Sequence, residues 1–234
     1  MNDVVSHAEN HLLASLPSDV RKRLTPHLER LNAELNKKIY EPYEDIAHVY
    51  FPINSIASIV ASTATGEMAE VGLVGREGAA GIDVALGADR SPHESMIQIA
   101  GPVFRISSVE FIREFKQCEV FHDRILSFMQ KLYAQISQTT LCNRLHHVDA
   151  RLPRWLLMCH DRIDGNVLAL TQEFIALMLG ASRVSVTLAA KDLQKIGYIK
   201  YARGKITVLD REGLEDVSCE CYSIVKREYD RKYV

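Results

Sequence analysis

The sequence predicts an α+β fold: an N-terminal antiparallel β-roll of jelly-roll type, a long helix, and a C-terminal pair of short helices followed by a β-hairpin. Three observations predict it. Between Ile39 and Ile106, runs of β-branched and aromatic residues (VYFPI, SIASIV, MAEVGLV, MIQIA, VFRI) are broken at Pro52, Gly66, Gly72, Gly75, Gly78, Gly81, Gly87, Pro92, Gly101 and Pro102. From Ser107 to His147 there is no Gly or Pro, and Ile125, Met129, Leu132 and Ile136 recur at 4-3-4 spacing. Past residue 148, two short helical patterns meet at Gly180 and two short strand patterns follow.

Taken in order, Leu12, Leu13, Leu16, Val20, Leu24, Leu28 and Leu31 keep helical spacing up to about Leu35, and Pro17-Ser18 divides this lead-in into two short helices. Lead-in and roll make a first domain, residues 1–117. Residues 118–148 are a long helix and hinge. Its apolar stripe needs a partner, either the roll or the same helix of a second subunit, so Ile125, Met129, Leu132 and Ile136 are candidate dimer-helix residues. The stripe then turns polar at Thr139, Asn143 and His146, which suits a small-molecule site or a hinge. Asp149 is expected to cap the next helix, with Pro153 near its first turn, and to open a last domain, residues 149–234.

Composition narrows the function. The chain has 234 residues, 47% hydrophobic and 25% charged, which excludes disordered, collagen-like and disulfide-scaffold classes. No run is apolar enough to span a membrane and no basic-then-apolar leader opens the sequence, so a cytoplasmic protein without a membrane partner is expected. The five cysteines are odd in number and lack a CxxC pair, as in reduced thiols. The net charge of -2 is uneven: residues 1–150 hold 14 Lys and Arg against 19 Asp and Glu, residues 151–205 hold 9 against 4, and residues 206–234 hold 5 against 7. One segment is basic.

That segment reads LTQEFIALMLGASRVSVTLAAKDLQKIGYIKYARGKITVLD. Thr171 caps a first helix, with Leu170 and Ile175 as a hydrophobic staple; Gly180 supplies the turn, and Ser182 caps a second helix. This is a helix-turn-helix, and YIKY-ARGK-ITVL adds a wing. On the second helix Val186, Ala189, Ala190, Leu193 and Gly197 share the inner face; Val184, Leu188, Lys191 and Lys195 point outward, with Arg183 and Thr187 at the flank. In a major groove, Arg183 would take guanine O6 and N7, and Val184 and Leu188 would pack on thymine methyls, with Thr187 beside them. Thr171, Ser182, Ser185, Lys191, Arg203 and Lys205 are the phosphate and wing candidates.

On these residues the sequence resembles the Crp/Fnr family of bacterial transcription regulators over nearly its whole length. The most specific stretches are YEPYEDIAHVYFPINSIASIV, EVGLVGREGAAGIDVALG and TQEFIALMLGASRVSVTLAAKDLQKIGYIKYARGKI. The resemblance implies a roll like the cyclic-nucleotide-binding domain, a dimerisation helix and a winged helix-turn-helix. It also implies a homodimer on double-stranded DNA with two-fold related half-sites, RNA polymerase as a partner, and an N-terminal signal that moves the recognition helices.

Two departures bear on the signal. Cyclic-AMP-binding members carry a Gly-Glu and an Arg-Ser pair where this chain reads Gly81-Ile82 and Glu94-Ser95, and a carboxylate there repels a phosphate, so cyclic AMP is not expected. The Fnr-type iron-sulfur cluster needs N-terminal cysteines, and none precedes Cys118. Glu77, Gly78, Gly81, Ile82, Glu94 and Ser95, closed by Gln138 and Thr139, remain the candidate effector pocket for another small molecule; thiol oxidation or no ligand at all are the other options. The recognition helix departs as well: Val184 follows Arg183 where many members carry a glutamate, so the family's usual half-site is not implied.

The alternatives are a cyclic-nucleotide-responsive member of the same family and, in another class, a cupin-like metal enzyme. The latter needs a His-x-His set, whereas the roll has only His48 and His93. With no nucleophile elbow, phosphate loop or zincin motif, neither enzyme activity nor a cofactor is expected. Cys142, His146, His147, Cys159 and His160 gather near the hinge without compact spacing, and Cys219 and Cys221 read as an i, i+2 pair on one helix that cannot converge, so no metal is expected.

Overall fold

The computed structural model describes residues 9–231. Helices α1 (His11–Ala14) and α2 (Ser18–Leu24) form the lead-in. Asn10 caps α1: its Oδ1 accepts from the Leu13 N–H at 3.1 Å, while its Nδ2 donates to the carbonyls of Pro52 and Gly78 at 2.8 and 3.0 Å. The fully buried amide thus ties the lead-in to the roll with its hydrogen-bonding capacity used. The helical reading through Leu31 is corrected here. Past Pro26 the chain extends into β1 (Glu29–Ala33), because pairing with residues 101–105 satisfies its backbone groups.

The roll continues with β2 (Lys38–Tyr40), β3 (His48–Pro52), β4 (Ile56–Ser62), β5 (Met68–Val74), a 3-10 turn over 82–86, β6 (Glu94–Ile99) and β7 (Gly101–Ser107). Two antiparallel sheets result, in the orders β1-β7-β3 and β2-β6-β4-β5. Helix α3 (Ser108–Gln117), capped by Ser107, leads into the long α4 (Glu119–Leu145). Leu12, Phe51, Phe104, Phe111, Phe121, Ile125 and Phe128 fill one core between the sheets and these helices. Phe111 and Phe121 meet edge-on, 5.3 Å between centroids.

The stripe Ile125, Met129, Leu132 and Ile136 packs into this core, with Ile125 and Leu132 buried. It answers the roll of its own chain. The opposite side of α4 exposes Asp123, Leu126, Gln130, Tyr133, Ser137 and Arg144, a heptad-spaced row in which Tyr133 is 72% exposed.

The last part comprises α5 (Val148–His160), β8 (Val167–Leu168), α6 (Gln172–Leu179), α7 (Arg183–Lys195), β9 (Ile199–Ala202), β10 (Lys205–Val208), α8 (Arg211–Val217) and α9 (Cys221–Asp230). The cap of α5 is His147 rather than Asp149, which sits in the first turn; Pro153 lies in the second turn, not the first. Cys219 precedes α9 in a turn, so Cys219 and Cys221 are not two helical neighbours.

Ile56, Val60, Leu73, Met96 and Ile99 on the outer face of the four-stranded sheet pack against Leu152, Trp155, Leu156 and Leu179 in a second core. The sheet is therefore buried on both faces. Between the apolar residues runs a buried polar strip, Ser58, Glu70 and Gln98. Trp155 Nε1 donates to Glu70, Ser58 Oγ lies against both Glu70 and Gln98, and Gln98 Nε2 donates to Cys159 Sγ at 3.3 Å. At the far end Arg162, 4% exposed, donates from Nε to Glu77 at 2.8 Å and from a terminal nitrogen to Gln135 at 3.0 Å, with its guanidinium 5.1 Å from the Tyr229 ring.

Candidate nucleic-acid interface

Local sequence builds the helix-turn-helix. The Thr171 hydroxyl accepts from the Phe174 N–H at 3.2 Å, Gly180 ends α6 at φ 55°, and the Ser182 hydroxyl accepts from the Ser185 N–H at 3.0 Å. A φ of 55° is a left-handed conformation that suits glycine. Leu170 and Ile175, on either side of the Thr171 cap, are both buried in the second core. α6 and α7 meet at 112°, within the range of such motifs.

Val186, Ala189, Ala190 and Leu193 anchor α7 inward. Gly197 lies beyond its last turn at φ 88°. Outward, Arg183, Val184, Leu188, Lys191 and Lys195 are exposed, Val184 by 68% and Leu188 by 57%. Two large apolar side chains held in water beside three cations, with no packing role, are what a groove-reading helix presents.

Thr187 is placed differently. It is half-buried, and its Oγ1 lies 2.9 Å from Gln172 Oε1 and 2.8 Å from the Arg183 carbonyl. The hydroxyl is occupied in joining α7 to α6, which removes it from the base-reading set. Ser182 and Ser185 share a hydroxyl contact of 2.8 Å at the start of α7.

The wing is β9 and β10, whose register pairs Lys205 with Ala202. Arg203 and Gly204 turn it at φ 51° and 71°. The tip stands beside the start of α6: a Cβ on Gly204 would lie 3.5 Å from the Thr171 methyl. Lys200, Arg203 and Lys205 are exposed. Tyr201 was not foreseen. Burial raises its phenol pKa, opposed by the backbone N–H of Gln172 and the charge of Arg183, so it packs under the interface where wing and helices converge. An aromatic set between two cations in KYAR, residues 200–203, is the signal the sequence offers.

The basic segment is also less exposed than its total suggests. Arg151, Arg154 and Arg162 are buried; Arg151 donates to the Leu179 carbonyl and Arg154 to Thr139 Oγ1 at 2.8 Å. Six cations, at 183, 191, 195, 200, 203 and 205, remain on the surface, with Glu173 and Asp192 exposed among them.

Several of the residues expected to form an effector pocket are engaged with other parts of the chain. Glu77 holds Arg162, and Gly78 lies against Phe128: a Cβ there would sit 2.0 Å from the ring. Gly81, at φ 87°, lies under the His48 carbonyl, and Ile82 is buried behind it. Glu94, 6% exposed, pairs with Lys38, and Ser95 donates to the Ser58 carbonyl at 2.9 Å. Gln138 and Thr139 face the C-terminal part, where Gln138 donates to Cys221 Sγ at 3.1 Å. α4 fills the space with its own side chains. A groove of about 580 Å³ opens on the surface of the roll between the 3-10 turn and α3.

Residues 150–217 match the family model described as a Crp-like helix-turn-helix domain. No curated protein matches the sequence. Among solved structures, FixK2 of Bradyrhizobium japonicum aligns with a TM-score of 0.70 at 13% identity, covering 82% of this chain and 98% of its own. A Crp/Fnr-family transcriptional regulator of Eubacterium rectale gives 0.68 at 17%, covering 90% and 98%. The c-di-GMP-responsive global regulator CLP of Xanthomonas campestris gives 0.61 at 17%, covering 82% and 99%. Residues 150–217 are thus a Crp-like helix-turn-helix domain, carried on a chain with the fold of the Crp/Fnr transcription regulators.

Proposed function

We propose that the protein is a sequence-specific, DNA-binding transcription regulator that works as a homodimer on two-fold related half-sites, with residues 1–117 as sensor, 118–148 as dimer helix and hinge, and 149–234 as the DNA-binding domain. One observation carries this reading: the exposed face of α7, with Arg183, Val184, Leu188, Lys191 and Lys195 standing clear beside a wing that adds Arg203 and Lys205. Helix N-terminus, cations and apolar contacts are the three elements of major-groove readout.

The exposed row of α4 supplies the seam. About 40 Å of helix, with Leu126 and Tyr133 seven residues apart, suits a parallel pairing that sets two recognition helices a helical turn of DNA apart. The signal is not cyclic AMP on this reading, because Glu94 stands where the cyclic-AMP-binding members of the family carry an arginine, and a carboxylate there repels a phosphate. A cytoplasmic setting and contact with RNA polymerase follow from the same reading.

Selection of binding sequences from a random DNA pool tests it. Wild type should enrich a two-fold related site; Arg183→Ala should weaken binding by about 1–3 kcal/mol and relax preference at one base pair of each half-site. Unchanged affinity and preference in Arg183→Ala would refute the docking of α7 in the groove.

A further inference from the structure

We propose that Cys142, His146, Cys219 and Cys221 form a tetrahedral site for a thiophilic divalent cation, zinc by its donor set, which fastens the end of α4 to the turn before α9. The four donor atoms lie within 4.8 Å of one another. Cys142 Sγ is 3.5 Å from Cys219 Sγ, and Cys221 Sγ is 3.6 Å from His146 Nδ1. With zinc–sulfur bonds of about 2.3 Å and zinc–nitrogen bonds of about 2.0 Å, a tetrahedron has edges of about 3.5 to 3.8 Å, so the four atoms are already close to the required shape.

The chain brings them together in two short pieces. Cys142 and His146 stand one turn apart at the end of α4, and Cys219 and Cys221 turn inward because Cys219 lies outside the helix that Cys221 begins. The three thiols are buried as a cluster of their own, apart from both larger cores, with Ala150 as the partly buried apolar neighbour among the described residues.

The surroundings suit a thiolate-rich centre. Glu220 Oε2 lies 3.3 Å from His146 Nε2, which orients the ring and leaves Nδ1 toward the thiols. Gln138 Nε2 donates to Cys221 Sγ. Binding would release three thiol protons to solvent and leave a net charge of about -1 on a Cys3His centre. Arg151 and Arg154 are buried, each with an Nε–H that has no hydrogen-bond partner, and Arg151 directly follows Ala150, which packs on the thiols. Two buried cations beside three neutral thiols would be poorly compensated; the charge of about -1 on a zinc thiolate centre offsets one of them.

The full-length protein, purified without chelator, tests the proposal through metal content and through titration of metal-stripped protein with cobalt(II). About one zinc per chain is expected, with the thiolate-to-cobalt charge-transfer and intense visible bands of tetrahedral cobalt. Cys219→Ser and Cys221→Ser should each weaken cobalt affinity at least about 100-fold, and Glu220→Gln about 10-fold. Cys118→Ser should change nothing. Should the serine variants fail to fold, His146→Ala against His146→Cys decides, since only the second restores a fourth ligand. Metal below a tenth of an equivalent after reconstitution, an octahedral cobalt spectrum, binding that survives the Cys219→Ser/Cys221→Ser pair, or a Cys142–Cys219 disulfide in the isolated protein would each overturn the site.

Discussion

The indole Nε1 of Trp155 donates to Glu70 Oε1 at 2.7 Å, joining α5 to β5 across 85 residues of sequence. Both side chains are buried. Burial lifts the Glu70 carboxyl to about 7, against the hydrogen bonds of Ser58 and Trp155 and the charges of Arg154 and Arg162. The Ser58 hydroxyl has one hydrogen and meets both Glu70 and Gln98; a protonated Glu70 supplies the second.

Because the folded pKa exceeds the unfolded one, the contribution of neutral Glu70 is complete below about pH 4.5 and is lost as pH rises through about 7. The full span is on the order of 3 kcal/mol. Urea unfolding at pH 5 and pH 8 should show wild type losing stability that Glu70→Gln retains. Equal pH dependence in the two proteins would remove Glu70 as its source.

A methyl group at Gly78 would penetrate the Phe128 ring, 2.0 Å from its nearest carbon. Gly78→Ala should therefore destabilise by about 1–3 kcal/mol or more, as overpacking does. Adding Phe128→Leu should recover part of the loss in a urea titration; a purely additive pair would mean that the ring does not fill the space above Gly78.

The two sides of α4 should separate in mutagenesis. Leu126→Glu with Tyr133→Glu should shift the protein toward monomer in sedimentation while leaving its melting temperature nearly unchanged. Ile125→Ala, on the buried side, should destabilise by about 2–5 kcal/mol. A Leu126/Tyr133 variant that stays dimeric would place the subunit contact elsewhere.

On the DNA side, Lys205→Ala should weaken binding to every sequence alike and reduce the salt slope by about 1. Thr187→Val should leave base preference intact and lower stability by about 1 kcal/mol, since its hydroxyl serves the α6–α7 contact. A change of preferred base in Thr187→Val would return this residue to the reading face.

Local signals were legible in the sequence wherever a residue acts within one turn of chain. Thr171, Gly180 and Ser182 fix the helix-turn-helix through hydrogen bonds three or four residues long, and the exposed or buried side of α7 follows from its period. Longer reach was not legible. Periodicity showed that Ile125 and Leu132 share a face but not which partner the face meets, and Leu31 kept helical spacing while its backbone joined a sheet partner 72 residues away at Val103. Charge counting does not show that Arg151, Arg154 and Arg162 are buried, because acceptors such as Leu179, Thr139 and Glu77 lie on other elements. Cys142 and Cys219 are 77 residues apart, and only folding sets them side by side.

The two-sided sheet has a mechanical consequence. Were residues 149–231 to swing away from the sheet, Ile56, Val60, Leu73, Met96 and Ile99 would meet water, a penalty on the order of 10 kcal/mol for five such side chains. Such a swing is therefore not a thermal fluctuation. Any rearrangement of α7 against the roll must either carry the roll along as one rigid piece or exchange this buried face for another cover, so the population of a released form is set by whatever provides that cover.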